Sequence, residues 1–220
     1  MPLSGYARDK YVAPGLSKFT GASIKDMAAT STQQEYWLGN FVLNTLLSVT
    51  VEKPVRQTLF NFLRRVESAF REYALARDQT VAYLKTTEAV TAYLGAIGHW
   101  ETFLSNAYQA FCLLAGSKPI LFEKGDGSVL QRLNLLYNRS KHVEKAIEAG
   151  QLPADATIAI WLTNDGLRSV DSWLTFDEMA DILDGLARWS DAAQDPLTMK
   201  EKMLRQYEGG ECRALAAAAG

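Results

Sequence analysis

Apolar residues recur at the spacing of an amphipathic α-helix over two long, adjoining stretches in the first half of the chain. Pro54 opens the first stretch, where its fixed backbone angle suits the first turn of a helix. The second runs from about Thr80 to Leu114, and its Gly95 and Gly98 predict a kink or a close helix crossing. Stripes of this length must be buried against other helices, so the sequence predicts a helical bundle. The core-facing positions of the first stretch are Val55, Leu59, Phe62, Leu63, Val66 and Phe70.

Two further helices are predicted on either side of this pair. The earlier one lies in "STQQEYWLGNFVLNTLLSVTV", where Ser31 or Thr32 can cap the start. The later one begins at Asp126 or Ser128 and ends at Gly150, which suits a helix C-terminus. The apolar face of the earlier helix is formed by Trp37, Phe41, Leu43, Leu47 and Val51.

The period of the sequence changes after this helix. "ATIAIWLT" is β-branched and aromatic, "NDG" is a turn signal, and "LRSVDSWLT" follows as a second short strand. Thr175 with Glu178 three residues later is a capping box that starts a last helix. The predicted fold is therefore mainly α, a bundle of about five helices with a small β-hairpin at residues 156–175 before the last helix.

Local composition divides the chain into three parts. Residues 1–31 are rich in Gly, Ser, Thr, Ala and Pro without a sustained period, so we expect a loose N-terminal arm. Residues 32–196 form the predicted helical-bundle domain. Residues 197–220 end in "GGECRALAAAAG" and are expected to be a frayed C-terminal tail.

Charge and cysteine content exclude several classes of function. A net charge of −2 and a pI near 5.8 argue against coating nucleic acid by bulk electrostatics, although a local basic patch remains open. Two cysteines and two separated histidines assemble no structural zinc set, so no metal and no cofactor are expected. The chain shows no P-loop, GxSxG or HExxH motif, no signal-peptide core, and no run near the roughly 18 apolar residues of a membrane span. We expect reduced thiols, a cytoplasmic location and no membrane partner.

The stretch "LNLLYNRSKHVEKAIEAG" places one of the two histidines on a predicted helix. On a helical wheel, Asn138, Arg139 and His142 cluster opposite the core-facing side, with Leu135 among them. An amide, a guanidinium and an imidazole gathered there predict a phosphate-recognising patch, and Leu135 predicts contact with another surface such as a second subunit. An ordinary solvated helix face is the alternative. The predicted core-facing stripe is Val129, Leu133, Leu136, Ser140, Val143 and Ile147.

The segment "YNRSKH" resembles the HEPN superfamily of helical-bundle proteins, whose signature on a late helix is R-N-x-x-x-H. Asn138 matches the polar position and His142 the histidine. Tyr137 stands where the family has arginine, so Arg139 or Arg132 would have to substitute. The segments "IWLTNDGL" and "LTFDEMADILDGL" are also similar to those of bacterial HEPN-like proteins, and the resemblance covers roughly residues 33–195.

The resemblance implies a cytoplasmic homodimer that cleaves RNA without metal, as a toxin or antiviral defence component. It implies that His142 acts as general base or acid, that Arg139 stabilises phosphate charge and that Asn138 orients the imidazole. Lys141, Arg132 and Tyr137 are the candidate RNA-binding residues. Because the family arginine is replaced, a non-catalytic helical adaptor that binds a partner protein, such as an antitoxin, or RNA through the same face is the alternative.

Other polar residues support weaker hypotheses. His99 and Glu101 are two residues apart and point to different faces of one helix, so surface or interface packing is favoured over a metal site or proton relay. We expect Glu101 to be able to approach the helix of His142. Four arginines of the preceding helix alternate with Glu67 and Glu72, which favours an ion-paired surface over an RNA-binding stripe. These arginines are Arg56, Arg64, Arg65 and Arg71.

Overall fold

A computed structural model describes residues 3–31, 34–47, 51–86, 89–116, 121–154 and 156–197. This part of the chain is mainly helical, with a small antiparallel sheet, so the predicted mainly-α class is confirmed. Five helices of 13 residues or more correspond to the predicted ones, and three shorter helices accompany them. The helices are α1 (Gly5–Tyr11), α2 (Ala28–Ser31), α3 (Gln34–Leu47), α4 (Lys53–Thr86), α5 (Val90–Ala115), α6 (Val129–Lys141), α7 (Val143–Glu148) and α8 (Phe176–Ala193).

Helices α4 and α5 form an antiparallel hairpin that is the centre of the bundle. The predicted boundary at Thr80 is wrong, because α4 continues to Thr86 and the two helices separate only between Thr86 and Val90. Thr80 is fully buried inside the hairpin, and its hydroxyl accepts a hydrogen bond from Trp100 Nε1 at 3.1 Å.

Helix α5 runs as one helix through both of its glycines. An added Cβ at Gly98 would meet nothing within 4 Å, and one at Gly95 would make only an ordinary contact of 3.8 Å with Gln79 Oε1. Neither glycine is therefore needed for a close helix crossing, and the predicted crossing is not found.

Aromatic side chains fill the space between the hairpin and α8. Trp100 is buried and makes edge contacts with Tyr73 and Phe103, with ring centroids 5.4 and 5.8 Å apart. Phe176, the first residue of α8, packs against the same indole at 5.6 Å. Such contacts contribute about 0.5–1.5 kcal/mol each beyond burial, so this cluster fixes α8 on the hairpin.

The N-terminal residues differ from the predicted loose arm. Residues 3–31 contain α1, a 3-10 turn at Leu16–Lys18 and α2, and they pack on the core. Leu16 and Phe19 are buried, and Phe19 stacks on Tyr83 of α4 with centroids 5.9 Å apart. The helices here are short, and residues 19–27 between the 3-10 turn and α2 have no regular structure, which explains why composition alone predicted a loose segment. Of the predicted C-terminal tail, residues 198–220 lie outside the described part.

The sheet has three strands instead of the predicted two. Strands β1 (Trp161–Leu162), β2 (Gly166–Arg168) and β3 (Trp173–Thr175) pair antiparallel in that order. The predicted strand "LRSVDSWLT" is divided by a turn, in which Ser169 N donates to Ser172 O at 2.8 Å. The sheet leads directly into α8, where the predicted capping box of Thr175 and Glu178 is confirmed. Within the described residues, no helix has the length and apolar character that crossing a bilayer requires.

Candidate functional site

Helix α6 carries the predicted site and lies against α5. Its start is capped by Ser128, whose hydroxyl accepts from Gln131 N at 3.2 Å, in agreement with one of the two predicted caps. Leu130, Leu133 and Leu136 are buried and hold the helix on the bundle. Because these leucines face inward, the opposite side of α6 is left for polar residues.

The predicted helix over this region is interrupted at His142. Helix α6 ends at Lys141, and His142 takes a non-helical conformation with φ −123° and ψ 40° before α7 begins. The interruption rotates the following turn, so Ala146 is buried while Ile147, which the wheel placed in the core, is 59% exposed. The expectation of one continuous helix from residue 128 to Gly150 is therefore wrong.

His142 nevertheless lies on the surface, as the wheel predicted. Its side chain is 38% exposed, and Nδ1 lies 3.4 Å from Oε1 of Glu144. Imidazole groups exchange protons near neutral pH, so this position suits a proton donor or acceptor for a molecule bound at the surface.

Arg139 does not face open solvent as a free phosphate-binding group. Its Nη2 and Nε donate to the two carboxylate oxygens of Asp171 at 2.7 and 3.3 Å. Nη1 donates to Oε1 of Gln151 at 2.6 Å. The hydrogen bond and the charge of Asp171 raise the pKa of Arg139 despite partial burial. The guanidinium thus joins α6 to the turn between β2 and β3.

Tyr137, Asn138 and Lys141 form a polar row on the outer side of α6. The Tyr137 ring stacks on Tyr108 of α5 with centroids 5.0 Å apart, and the Lys141 ammonium lies 5.5 Å from the Tyr137 centroid. Asn138 Nδ2 donates to Oδ1 of Asn134 at 3.0 Å. We call Tyr108, Tyr137, Asn138, Lys141 and His142 the α6 surface.

The predicted catalytic residues are not joined to one another. In the part of the chain that the structure describes, no side-chain hydrogen bond connects Asn138, Arg139 and His142, and each side chain has a different partner. Arg132, predicted to bind RNA, turns instead toward α8 and donates to Glu178 Oε2 at 3.0 Å. Arg132 and Arg139 are therefore already paired with carboxylates, and neither is included in the α6 surface.

Two residues of α5, Tyr108 and Glu101, lie beside α6, and of these Tyr108 was not predicted there. Tyr108 contributes its ring, and burial raises its pKa to about 12, with a further contribution from Cys112. Glu101 approaches α6, as expected. Burial raises the pKa of Glu101, and the nearby Ser140 side chain partly offsets this effect. The seven-residue spacing of 101 and 108 is the signal that both share one helix face.

The other candidates make contacts within the hairpin. His99 Nδ1 lies 2.8 Å from Glu72 Oε2, which joins α5 to α4. Arg65 donates to Asn106 Oδ1 at 2.9 Å, and Arg71 lies 3.5 Å from Glu72. Of the predicted ion-paired surface, only the Arg71–Glu72 contact is found among the described residues. Among the described residues, no three His, Cys, Asp or Glu side chains are grouped closely enough to hold a metal ion.

Comparison with known proteins identifies no relative of this chain. Neither protein-family models, nor curated proteins, nor solved structures match the chain.

Proposed function

We propose that the chain is a HEPN-like, RNA-directed protein that contacts RNA through the α6 surface and acts as a homodimer. The observation that carries this proposal is the stacked Tyr108–Tyr137 pair, with the Lys141 ammonium 5.5 Å from the Tyr137 centroid and the partly exposed His142 next in the chain. Aromatic rings and cations are the groups with which proteins bind unpaired bases and phosphates.

Binding of this kind would be local. The chain has a formal charge of −2, so affinity for RNA would depend on a few contacts at the α6 surface and not on the total charge. We expect a shallow dependence of affinity on salt, because each lysine–phosphate contact contributes about one unit to the salt slope.

Cleavage by the α6 surface would depend on His142. This imidazole would take the proton from a ribose 2′-hydroxyl or deliver one to the leaving oxygen. Arg139 is already bound to Asp171 and Gln151, so Lys141, or groups of a second subunit, would have to stabilise the phosphate charge.

RNA cleavage in EDTA tests the catalytic form of the proposal. Wild-type protein is incubated with structured RNA and with tRNA, beside His142→Ala and His99→Gln. The His99 variant is the matched control, because it alters the other histidine, which is paired with Glu72 inside the hairpin. Cleavage that is lost only in His142→Ala supports catalysis, and intact RNA with wild type excludes it.

RNA binding is tested separately by fluorescence anisotropy with a labelled single strand. Lys141→Ala and Tyr137→Leu should weaken binding several-fold, while Lys124→Ala, at an exposed position outside the α6 surface, should not. Equal affinities for all three variants would contradict an RNA-binding α6 surface. Circular dichroism should be used to check that the Tyr137→Leu variant remains folded.

The engagement of Arg139 favours a second candidate, a non-catalytic adaptor that binds a partner protein through the same side of α6. A guanidinium that two side chains already hold is poorly placed to stabilise a transition state. This candidate predicts no RNA turnover by wild type, together with a partner complex that Leu135→Ala or Arg139→Ala weakens. Retention of that complex by both variants would contradict it.

A further inference from the structure

A cleft of about 620 Å³ has no lining residue in common with the α6 surface. It is bounded by residues 26–28, where α2 begins, and by one face of α4 between Glu67 and Asp78. Its volume falls within the range of about 300–1,000 Å³ that is typical of small-molecule sites. Met27 and Phe70 are buried apolar residues of its wall, and Leu75 adds a partly exposed apolar side chain.

The charged side chains along the cleft differ in whether an oppositely charged group lies close to them. Arg77 is held by Asp26 at 3.2 Å and by Asp78 at 3.1 Å, and it also donates to the Ile24 carbonyl at 3.4 Å. Arg71 is mostly exposed and lies 3.5 Å from Glu72. For Glu67, by contrast, no ion pair within 4 Å is formed with any described residue.

Glu67 is a half-buried carboxylate on the apolar wall. Burial raises its pKa, while a hydrogen bond from the Leu38 backbone and the more distant charge of Arg71 act in the opposite direction. A carboxylate that has lost water without gaining a close cation is stabilised when a positive ligand group arrives.

We propose that this cleft binds an organic cation, an ammonium group on an apolar stem, with the ammonium at Glu67 and the stem against Met27 and Phe70. A cation is favoured over an anion because Arg77 is already occupied by two carboxylates, whereas Glu67 is not. The three acidic residues of the wall, Asp26, Glu67 and Asp78, outnumber its two arginines. The cleft does not involve the α6 surface, so this inference is independent of RNA binding.

Methionine-methyl NMR provides a direct test with the whole chain. Benzylamine is the probe, and benzyl alcohol is its neutral counterpart with the same ring. Millimolar benzylamine should shift the Met27 methyl resonance in a saturable manner, and benzyl alcohol should bind about tenfold more weakly because it cannot pair with Glu67. Met179, which is fully buried in the core, is the internal control.

Three variants distinguish the contribution of the Glu67 charge to binding from that of the cavity shape. Glu67→Gln retains the shape and should weaken benzylamine binding about tenfold, whereas Glu148→Gln, at an exposed site elsewhere, should have no effect. Ala74→Phe should block the cleft without changing its charge, because Ala74 lies on its wall. The proposal is overturned if benzylamine leaves Met27 unshifted, if benzyl alcohol binds equally well, or if Glu67→Gln binds like wild type.

Discussion

Arg132 on α6 and Glu178 in the first turn of α8 form a two-point ion pair that joins these helices. Arg132 Nη1 donates to Glu178 Oε2 at 3.0 Å, and the same oxygen accepts from Thr175 N at 3.0 Å. The guanidinium also donates to the Trp173 carbonyl at 3.1 Å and lies 5.3 Å from the indole centroid. One carboxylate therefore caps α8 and holds α6, which gives Arg132 a structural role.

The first prediction concerns the stability that this pair contributes. The two side chains are only 14% and 26% exposed, so Arg132→Met should lower the free energy of unfolding by about 2–3 kcal/mol. Glu178→Gln should have a smaller effect, because an amide still accepts the Thr175 hydrogen bond. Urea unfolding of both single variants and the double variant should show a coupling energy of about 1–2 kcal/mol. A coupling near zero would contradict the prediction, and Lys124→Met is the surface control.

The second prediction concerns the loss of stability at acidic pH. Hydrogen bonding and the charge of Arg139 lower the pKa of Asp171 despite its partial burial. Burial acts to raise the pKa of Glu178, but its hydrogen bonds with Arg132 and Thr175 outweigh that effect and lower it. Both groups thus contribute stability above their unfolded pKa values, roughly 4, and this stability is lost as the pH falls through the folded values.

Urea unfolding between neutral pH and about pH 3 checks this expectation. Wild type should lose stability at the acid end of this range, and Asp171→Asn should show a shallower loss because it has no proton to bind there. Glu148→Gln, which alters an exposed carboxylate, should follow wild type. Parallel curves for wild type and Asp171→Asn would exclude a contribution from the Asp171–Arg139 pair.

The third prediction concerns Glu101, whose contribution to stability changes with pH in the opposite direction. Because burial raises its pKa, the folded chain favours the protonated carboxyl, and stability from this group falls as pH rises above about 4. Glu101→Gln keeps a hydrogen-bonding partner for Ser140 without the charge. We expect this variant to be more stable than wild type at pH 7 by a few tenths to about 1 kcal/mol, and equal to it near pH 4. A less stable variant at pH 7 would contradict this account.

The fourth prediction compares two glycines. A Cβ at Gly166 would collide with the Leu174 carbonyl oxygen and come within 2.7 Å of Thr175 Cα, so Gly166→Ala must break the pairing of β2 with β3. We expect a loss of about 3 kcal/mol or more. Gly98→Ala meets open space within a helix and should stabilise the protein by about 0.5–1 kcal/mol. Thermal unfolding of the two variants distinguishes these outcomes.

Local signals were sufficient to predict the long helices. The stripe of α4, the cap of α6 at Ser128 and the capping box at Thr175 all depend on residues close together in sequence, and each agrees with the structure. The boundary near Thr80 and the packing of residues 3–31 depend on contacts with Trp100 and Tyr83, which the local pattern does not contain.

The candidate site was predictable as a set of surface residues but not as a geometry. The wheel placed Asn138 and His142 outward, and in the structure Asn138 is exposed and His142 is partly exposed. The partner of Arg139 is Asp171, 32 residues later in a turn that the sequence suggested was a strand. The helix is likewise interrupted at His142 without a proline or glycine nearby that would predict a break.

The packing of the N-terminal residues has a consequence for the order of assembly. The α4–α5 hairpin joins neighbouring segments, and its chain closure costs little entropy. Lys25 and Trp37 instead bind Asp184 and Asp191 of α8, which are synthesised 159 and 154 residues later. We expect the first part of the chain to complete its packing only once α8 has left the ribosome, because these two contacts need α8.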